Sequence, residues 1–235
     1  MKNVLELLER TAARLPRQTA FADQQCSYDY QTVVNIAGSV GSALAANGDR
    51  NCPVAVLMER GAPCLVTLMG VLYSGNFYVV LDPEMPAERV NKILRTLQPT
   101  ALICDEAHKD DPAGLDYDGK VYSAEALAAG QAQPELLQTV RRRMIDTDPA
   151  YAIFTSGSTG NPQGRGGEPS QRVGVFRLGG RYLWHQRKDD FRQPNALLFQ
   201  YVGDGYLRYD SYRSAVTCDP QVVFLFPGSA DPLPE

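Results

Sequence analysis

An α/β fold built around a parallel sheet is what this sequence predicts, and three observations predict it. Apolar stripes at helical spacing alternate with short β-branched runs from residue 1 to about residue 162. Turn residues, Asn47-Gly48 and Pro86 among them, fall between these segments. The 235 residues are 44 % hydrophobic and 21 % charged, which suits a buried core rather than a disordered chain.

The elements follow in order. Val4, Leu8, Ala12 and Leu15 make one stripe of an opening helix. Val33, Ile36, Ala37, Val40 and Leu44 make a second, closed by Asn47-Gly48. The run from Pro53 to Met58 reads as a buried strand, Ala62 to Tyr73 as a helix covered by its neighbours, and Phe77 to Leu81 as a second strand. That is a βαβ unit, for which a right-handed crossover is expected. A further helix starts after Pro86 and runs to about Leu97, and the strand Ala101 to Cys104 follows it.

Composition excludes several classes. No run approaches the roughly 18 uninterrupted apolar residues of a membrane span. Glu6, Glu9 and Arg10 stand where a signal peptide would be apolar. A cytoplasmic protein with no membrane partner is therefore expected. The formal net charge of -4 gives no overall attraction to nucleic acid. Five cysteines, Cys26, Cys52, Cys64, Cys104 and Cys218, show no metal-ligand spacing, so reduced thiols and no metal site are expected. His108 and His185 lack partners for a nucleophile–base pair, and Asp82-Pro83 reads as a strand-ending turn. Arg141, Arg142 and Arg143 read as a solvated helix end.

After Pro162 the texture changes. Residues 163–235 contain no isoleucine and no methionine, and Lys188 is their only lysine. Glycines interrupt every candidate helix, and Val173–Phe176 and Val222–Phe226 are the only convincing apolar runs, too isolated to make a core. The sequence thus divides into an α/β part over 1–162, incomplete as a parallel-sheet subdomain, and a tail over 163–235 expected to be disordered and without its own fold.

The stretch YAIFTSGSTGNP, residues 151–162, is a short apolar strand running straight into hydroxyls and glycines. Glycine permits backbone conformations closed to other residues and brings several N–H groups toward one oxyanion, while Ser and Thr add hydroxyl donors. This is a phosphate cradle, and it is not a Walker A loop, because no Lys-Ser or Lys-Thr follows the glycines.

YAIFTSGSTGNPQG closely resembles the phosphate-loop signature YTSGSTGxPKG of the adenylate-forming enzymes, the superfamily of acyl- and aryl-CoA synthetases, luciferases and peptide-synthetase adenylation domains. Ser27-Tyr28-Asp29-Tyr30 resembles that family's early TYxEL box. LYSGNFYVVLDP, residues 72–83, resembles its LKAGxAYVPLDP box and leans toward the amino-acid-adenylating branch. The resemblance implies a ligase that uses ATP and Mg2+ to turn a carboxylate into an acyl-adenylate, which passes to a thiol acceptor, a carrier protein or CoA. It implies that Thr155, Ser156, Gly157, Ser158, Thr159, Gly160, Asn161, Pro162 and Gly164 form the nucleotide-binding loop. The family's loop lysine falls on Gln163, so no catalytic residue is intact and tight nucleotide binding by this chain is not expected.

The likeness ends at Gly164, and a change of reading frame accounts for its end. Residues 162–170 written CCC CAA GGG CGT GGT GGT GAG CCA TCG become, with one C removed, CCC AAG GGC GTG GTG GTG AGC CAT CG. That reads PKGVVVSHR, which restores the lysine and the strand that follows it in the family. The same shift lets residues 191–206 read FGNQTPFYFNMSVTDI and residues 217–221 read HVIPK, both resembling family text. In that frame the codon under Gln200 yields only Asn or Ser, where amino-acid-activating relatives usually carry Asp, which leaves an aryl or other non-amino carboxylate open. The expectation is a truncated, inactive and aggregation-prone ligase fragment with exposed sheet edges. The alternative is a non-catalytic nucleotide- or nucleic-acid-binding protein using Arg177, Arg181, Arg187 and Arg192 among the tail aromatics.

Overall fold

The computed structural model describes residues 4–155 and the strand backbones 172–177, 215–218 and 222–225. Helix α1 (Val4–Arg14) leads through strands β1 (Thr19–Ala22) and β2 (Ser27–Asp29) into α2 (Tyr30–Ala45). Asp29 caps α2 by accepting from the Thr32 N–H at 2.7 Å. Gly48 follows the helix with a φ of 81°, a left-handed conformation that glycine takes without strain.

Strands β3 (Pro53–Leu57), β4 (Phe77–Leu81) and β5 (Ala101–Cys104) alternate with helices α3 (Ala62–Tyr73) and α4 (Ala87–Leu97), as the periodicity predicts apart from β3, which ends one residue earlier, at Leu57. Strand β6 (Lys120–Ser123), helices α5 (Ala124–Ala128) and α6 (Pro134–Arg143), and strand β7 (Pro149–Thr155) complete the α/β part. The main sheet has the order β6-β5-β3-β4-β7, all parallel, and β8 (Arg172–Arg177) is added antiparallel to β7. A second sheet runs β2-β1-β10-β9, with β9 (Ala215–Cys218) and β10 (Val222–Leu225).

Alternation along the strands sorts the core onto two faces. Val54, Val56, Ala101 and Ile103 pack with α1, α2 and α3 on one side. Ala55, Leu57, Val79, Leu81, Leu102 and Cys104 pack with Val90, Ile93 and Leu94 of α4 on the other. Helix α3 is buried along almost its whole length, which is why it carries no polar stripe. It crosses α2 at very close range: a Cβ built on Gly70 would lie 2.5 Å from the Val40 Cβ.

The two apolar runs of the tail that looked too isolated to make a core both take strand backbone, as β8 and β10. They pair with β7 and β1, elements of the 1–155 part, rather than with a separate domain. Strands β7 and β1 thus have a neighbour on each side, and β8 and β9 are outer strands of their sheets.

Candidate functional site at the carboxyl edge of the sheet

The chain leaves β3 for α3 on one face of the sheet and leaves the adjacent β4 for α4 on the other. In open α/β sheets the carboxyl ends of such strands are the usual ligand position. Here Arg60, just after β3, and Asp82, just after β4, meet there, with Nη2 and Oδ2 2.7 Å apart. Asp82 Oδ1 also accepts the Glu84 N–H at 3.0 Å, so the expected strand-ending turn forms.

One strand further, His108 Nδ1 lies 2.6 Å from Asp105 Oδ1, and its Nε2 lies 3.5 Å from Glu59 Oε1. Asp105 Oδ2 accepts the Glu59 N–H at 2.7 Å. The Arg60–Asp82 pair thus ties the loop after β3 to that after β4, and Glu59, His108 and Asp105 tie it to the loop after β5. The sequence left His108 without partners; the folded loops give it two carboxylates. Burial opposes its charged form, but the hydrogen bond and charge of Asp105, with Asp111 and Glu59, outweigh that and raise its pKa above the ordinary value.

A histidine with a raised folded pKa contributes stability below its unfolded value, and that contribution is lost as pH rises through the folded value. In urea unfolding, His108→Gln is expected to lose more stability at about pH 5.5 than at about pH 9, since the unfolded pKa is near 6.5. Equal losses at the two pH values would contradict the assignment.

Asp23 lies at the start of α3. Its Oδ2 accepts the Ala62 N–H at 2.7 Å, and its Oδ1 accepts from Gln25 and Cys26 at 2.8 Å each. Burial would raise this carboxyl, but the three backbone donors prevail and hold it below the usual range. Gly61 makes room for it, because a Cβ there would sit 2.8 Å from Oδ2. Neither this cap supplied from 39 residues away nor the Arg60–Asp82 pair was legible in the sequence.

At the opposite end of the sheet, Asp148 is buried beside β7 and accepts from Arg50 at 2.9 Å, Asn51 at 3.2 Å and the Ile145 N–H at 2.9 Å. Arg50 also donates to the Arg143 carbonyl. Arg141 pairs with Glu9 at 2.5 Å and lies 5.6 Å above the Tyr73 ring, so the basic end of α6 is partly packed rather than simply solvated. These contacts fix the start of β7. Tyr151 stacks on Tyr78 of β4, ring centroids 5.7 Å apart, and secures its middle.

Of the predicted nucleotide-loop residues, Thr155 is placed as the last residue of β7, at the carboxyl edge. Ser156, Gly157, Ser158, Thr159, Gly160, Asn161, Pro162, Gln163 and Gly164 lie outside the described residues. Among the described residues no group of three or more His, Cys, Asp or Glu side chains is arranged to hold a metal. Cys26, Cys52, Cys64 and Cys104 are free thiols, and burial pushes the Cys64 thiol up to about 12. No helix among the described residues is long and apolar enough to cross a membrane.

A parallel sheet with helices on both faces, followed in sequence by the Ser/Thr/Gly run after β7, is an open α/β architecture. Residues 8–164 match the AMP-binding enzyme family, and the chain belongs to it. A mycosubtilin synthase protein of Bacillus subtilis is 30 % identical over 226 residues, covering 96 % of this chain and 8 % of that protein. Pyochelin synthetase PchF of Pseudomonas aeruginosa is 35 % identical over 150 residues, 63 % of this chain and 8 % of its own. The chain thus spans a small part of the curated relatives it matches. Among solved structures, a nonribosomal peptide synthetase superposes with a TM-score of 0.60 at 22 % identity, over 76 % of this chain and 17 % of that one. The N-terminal subdomain of Klebsiella oxytoca NpsA, with 3-hydroxyanthranilyl-AMSN, gives 0.60 at 18 %, over 77 % and 42 %. The family match ends at Gly164, where the resemblance read from the sequence also ends, whereas the mycosubtilin synthase match runs on into the tail.

Proposed function

We propose that residues 1–162 are the N-terminal part of a peptide-synthetase-type adenylation domain, and that residues 163–235 are an out-of-frame tail without its own fold. The intact parent activates a carboxylic or amino acid in the cytoplasm. A substrate carboxylate oxygen attacks the α-phosphorus of ATP, the bond to the β-phosphate breaks, and pyrophosphate leaves. The sulfur of a carrier protein or CoA thiol then attacks the acyl carbon and displaces AMP.

The observation that carries this reading is the position of Thr155, at the end of the strand beside β4, directly before the Ser/Thr/Gly run in sequence. The donor types in that run of sequence suit phosphate oxygens: the hydroxyl residues Thr155, Ser156, Ser158 and Thr159, with Gly157, Gly160 and Gly164 among them. ATP with Mg2+ supplies the electrophilic phosphorus and the pyrophosphate leaving group. The chain's residues contribute orientation and hydrogen bonding, and Gln163 contributes no positive charge toward the departing pyrophosphate.

Expressing the gene with one C removed at the Pro162–Gln163 boundary, and extended through the open frame, tests the reading. Carboxylate-dependent ATP–pyrophosphate exchange by that product is the expected result. A stop codon soon after the shift, or an expressed product without exchange on any amino, aryl or alkyl acid, would overturn it.

A further inference from the structure

Asn47-Gly48, which closes α2, is the chain's one Asn-Gly pair. An asparagine before glycine is chemically labile, because glycine has no Cβ to shield its backbone nitrogen or to restrict its approach to the side-chain amide. In this fold both reacting groups are engaged. The Gly48 N–H donates to the Ala45 carbonyl at 3.0 Å. Asn47 Nδ2 donates to the Tyr122 hydroxyl at 2.9 Å, and Asn47 Oδ1 accepts from Lys120 Nζ at 2.7 Å. Both side-chain partners stand on β6, 73 and 75 residues further along the chain. Asn47 is only partly buried and Gly48 is exposed, so water reaches the pair.

We infer that Asn47 is a deamidation site that the docking of β6 against the end of α2 holds in check. When the Asn47 side chain leaves Tyr122 and Lys120 and the Gly48 N–H leaves Ala45, the Gly48 nitrogen can attack Asn47 Cγ. The new N–C bond closes a succinimide, the Cγ–Nδ2 bond breaks, and Nδ2 departs as ammonia with the proton given up by Gly48. Water then adds to one of the two ring carbonyls and opens the ring to aspartate or isoaspartate, with no change of oxidation state. The isoaspartate form lengthens the main chain by one carbon in the α2–β3 connection, which also carries Arg50 and Asn51 to Asp148. While β6 is docked, all three hydrogen bonds must open before the ring can close, and each adds to the barrier.

Mass spectrometry of the Asn47 peptide, sampled over time from the full chain in mildly alkaline buffer, tests this. The folded chain is expected to deamidate at Asn47 at least about tenfold more slowly than the same chain unfolded in guanidinium chloride, the effect of three modest hydrogen bonds. Lys120→Met with Tyr122→Phe removes both side-chain partners and leaves the backbone pairing of β6 with β5 in place. That double variant, with its urea midpoint checked, should deamidate about fivefold faster than the unmodified folded chain. A folded chain that deamidates as fast as the unfolded one, or a folded double variant no faster than the unmodified chain, would overturn the inference. The first comparison needs no variant, so it stands even if the double variant does not fold.

Discussion

Given ATP, labelled pyrophosphate and a panel of amino, aryl and alkyl acids, the 235-residue chain is expected to exchange label no faster than an enzyme-free blank. In-line displacement at phosphorus depends on positioning and on stabilising charge that develops on the leaving group. Removing one preorganised donor of that kind typically costs about a hundredfold to a thousandfold in rate. By the resemblance Gln163 falls where the family's loop carries its lysine, and the proposed break in the reading frame beyond it would be a second defect. Gln163→Lys separates these two defects. If the missing charge were the only one, that variant would recover exchange; a broken frame predicts that it stays at the blank. Exchange above blank by the unmodified chain would refute the proposed inactivity outright.

Gly70→Val is expected to leave the α/β part unfolded or nearly so. Helices α2 and α3 approach closely where Gly70 faces Val40 and Gly41 faces Tyr73. A single Cβ at Gly70 would already lie 2.5 Å from both Val40 Cβ and Cγ1, and 3.2 Å from the Ala37 carbonyl oxygen, which is backbone and cannot swing aside. Valine adds two further methyl groups into a region where Val40 and Val71 are fully buried. Overpacking of well-filled cores costs about 1–3 kcal/mol, and this contact lies at or beyond the upper end because helix backbones must separate. Typical domain stability is only about 5–15 kcal/mol, and separating α2 from α3 also loosens the face of the sheet they cover. Gly114→Ala is the control, since a Cβ there meets nothing within 4 Å. Urea midpoints should be near wild type for the control and strongly lowered or absent for Gly70→Val. A Gly70→Val protein within about 0.5 kcal/mol of wild type, the range of an ordinary surface change, would mean that the helices do not cross as described.

What could be read from the sequence was what local burial dictates. Helix α3 and strands β4 and β5 match their expected bounds because each is an apolar segment flanked by Gly, Pro, Asn or Asp close by. The short strands β1, β2 and β6 and helix α5 went unread as elements, since three to five residues carry too little periodicity. Helix α6 buries none of its residues and showed only its basic end. Strand order was not legible, because alternation says which face a side chain takes but not which strand lies beside it.

The same division holds at the carboxyl edge. The Ser/Thr/Gly run is contiguous and could be seen. Asp23 on Ala62, Arg60 on Asp82 and Glu59 beside His108 join residues 39, 22 and 49 positions apart, and only the folded loops bring them together. Val173–Phe176 and Val222–Phe226 were visible as apolar runs but had no assignable partners until β7 and β1 were placed.

The proposed break after Pro162 is tested most directly by high-accuracy sequencing of the source DNA from codon 150 through the next few hundred bases. The predicted result is an unbroken run of C across the Pro162–Gln163 boundary, CAA at codon 163, and, with one C removed, an open frame that continues as PKGVVVSHR. Codons at Pro162 and Gln163 that admit no such shift, or a shifted frame that closes within a few codons, would contradict it and leave residues 163–235 as the protein's true continuation.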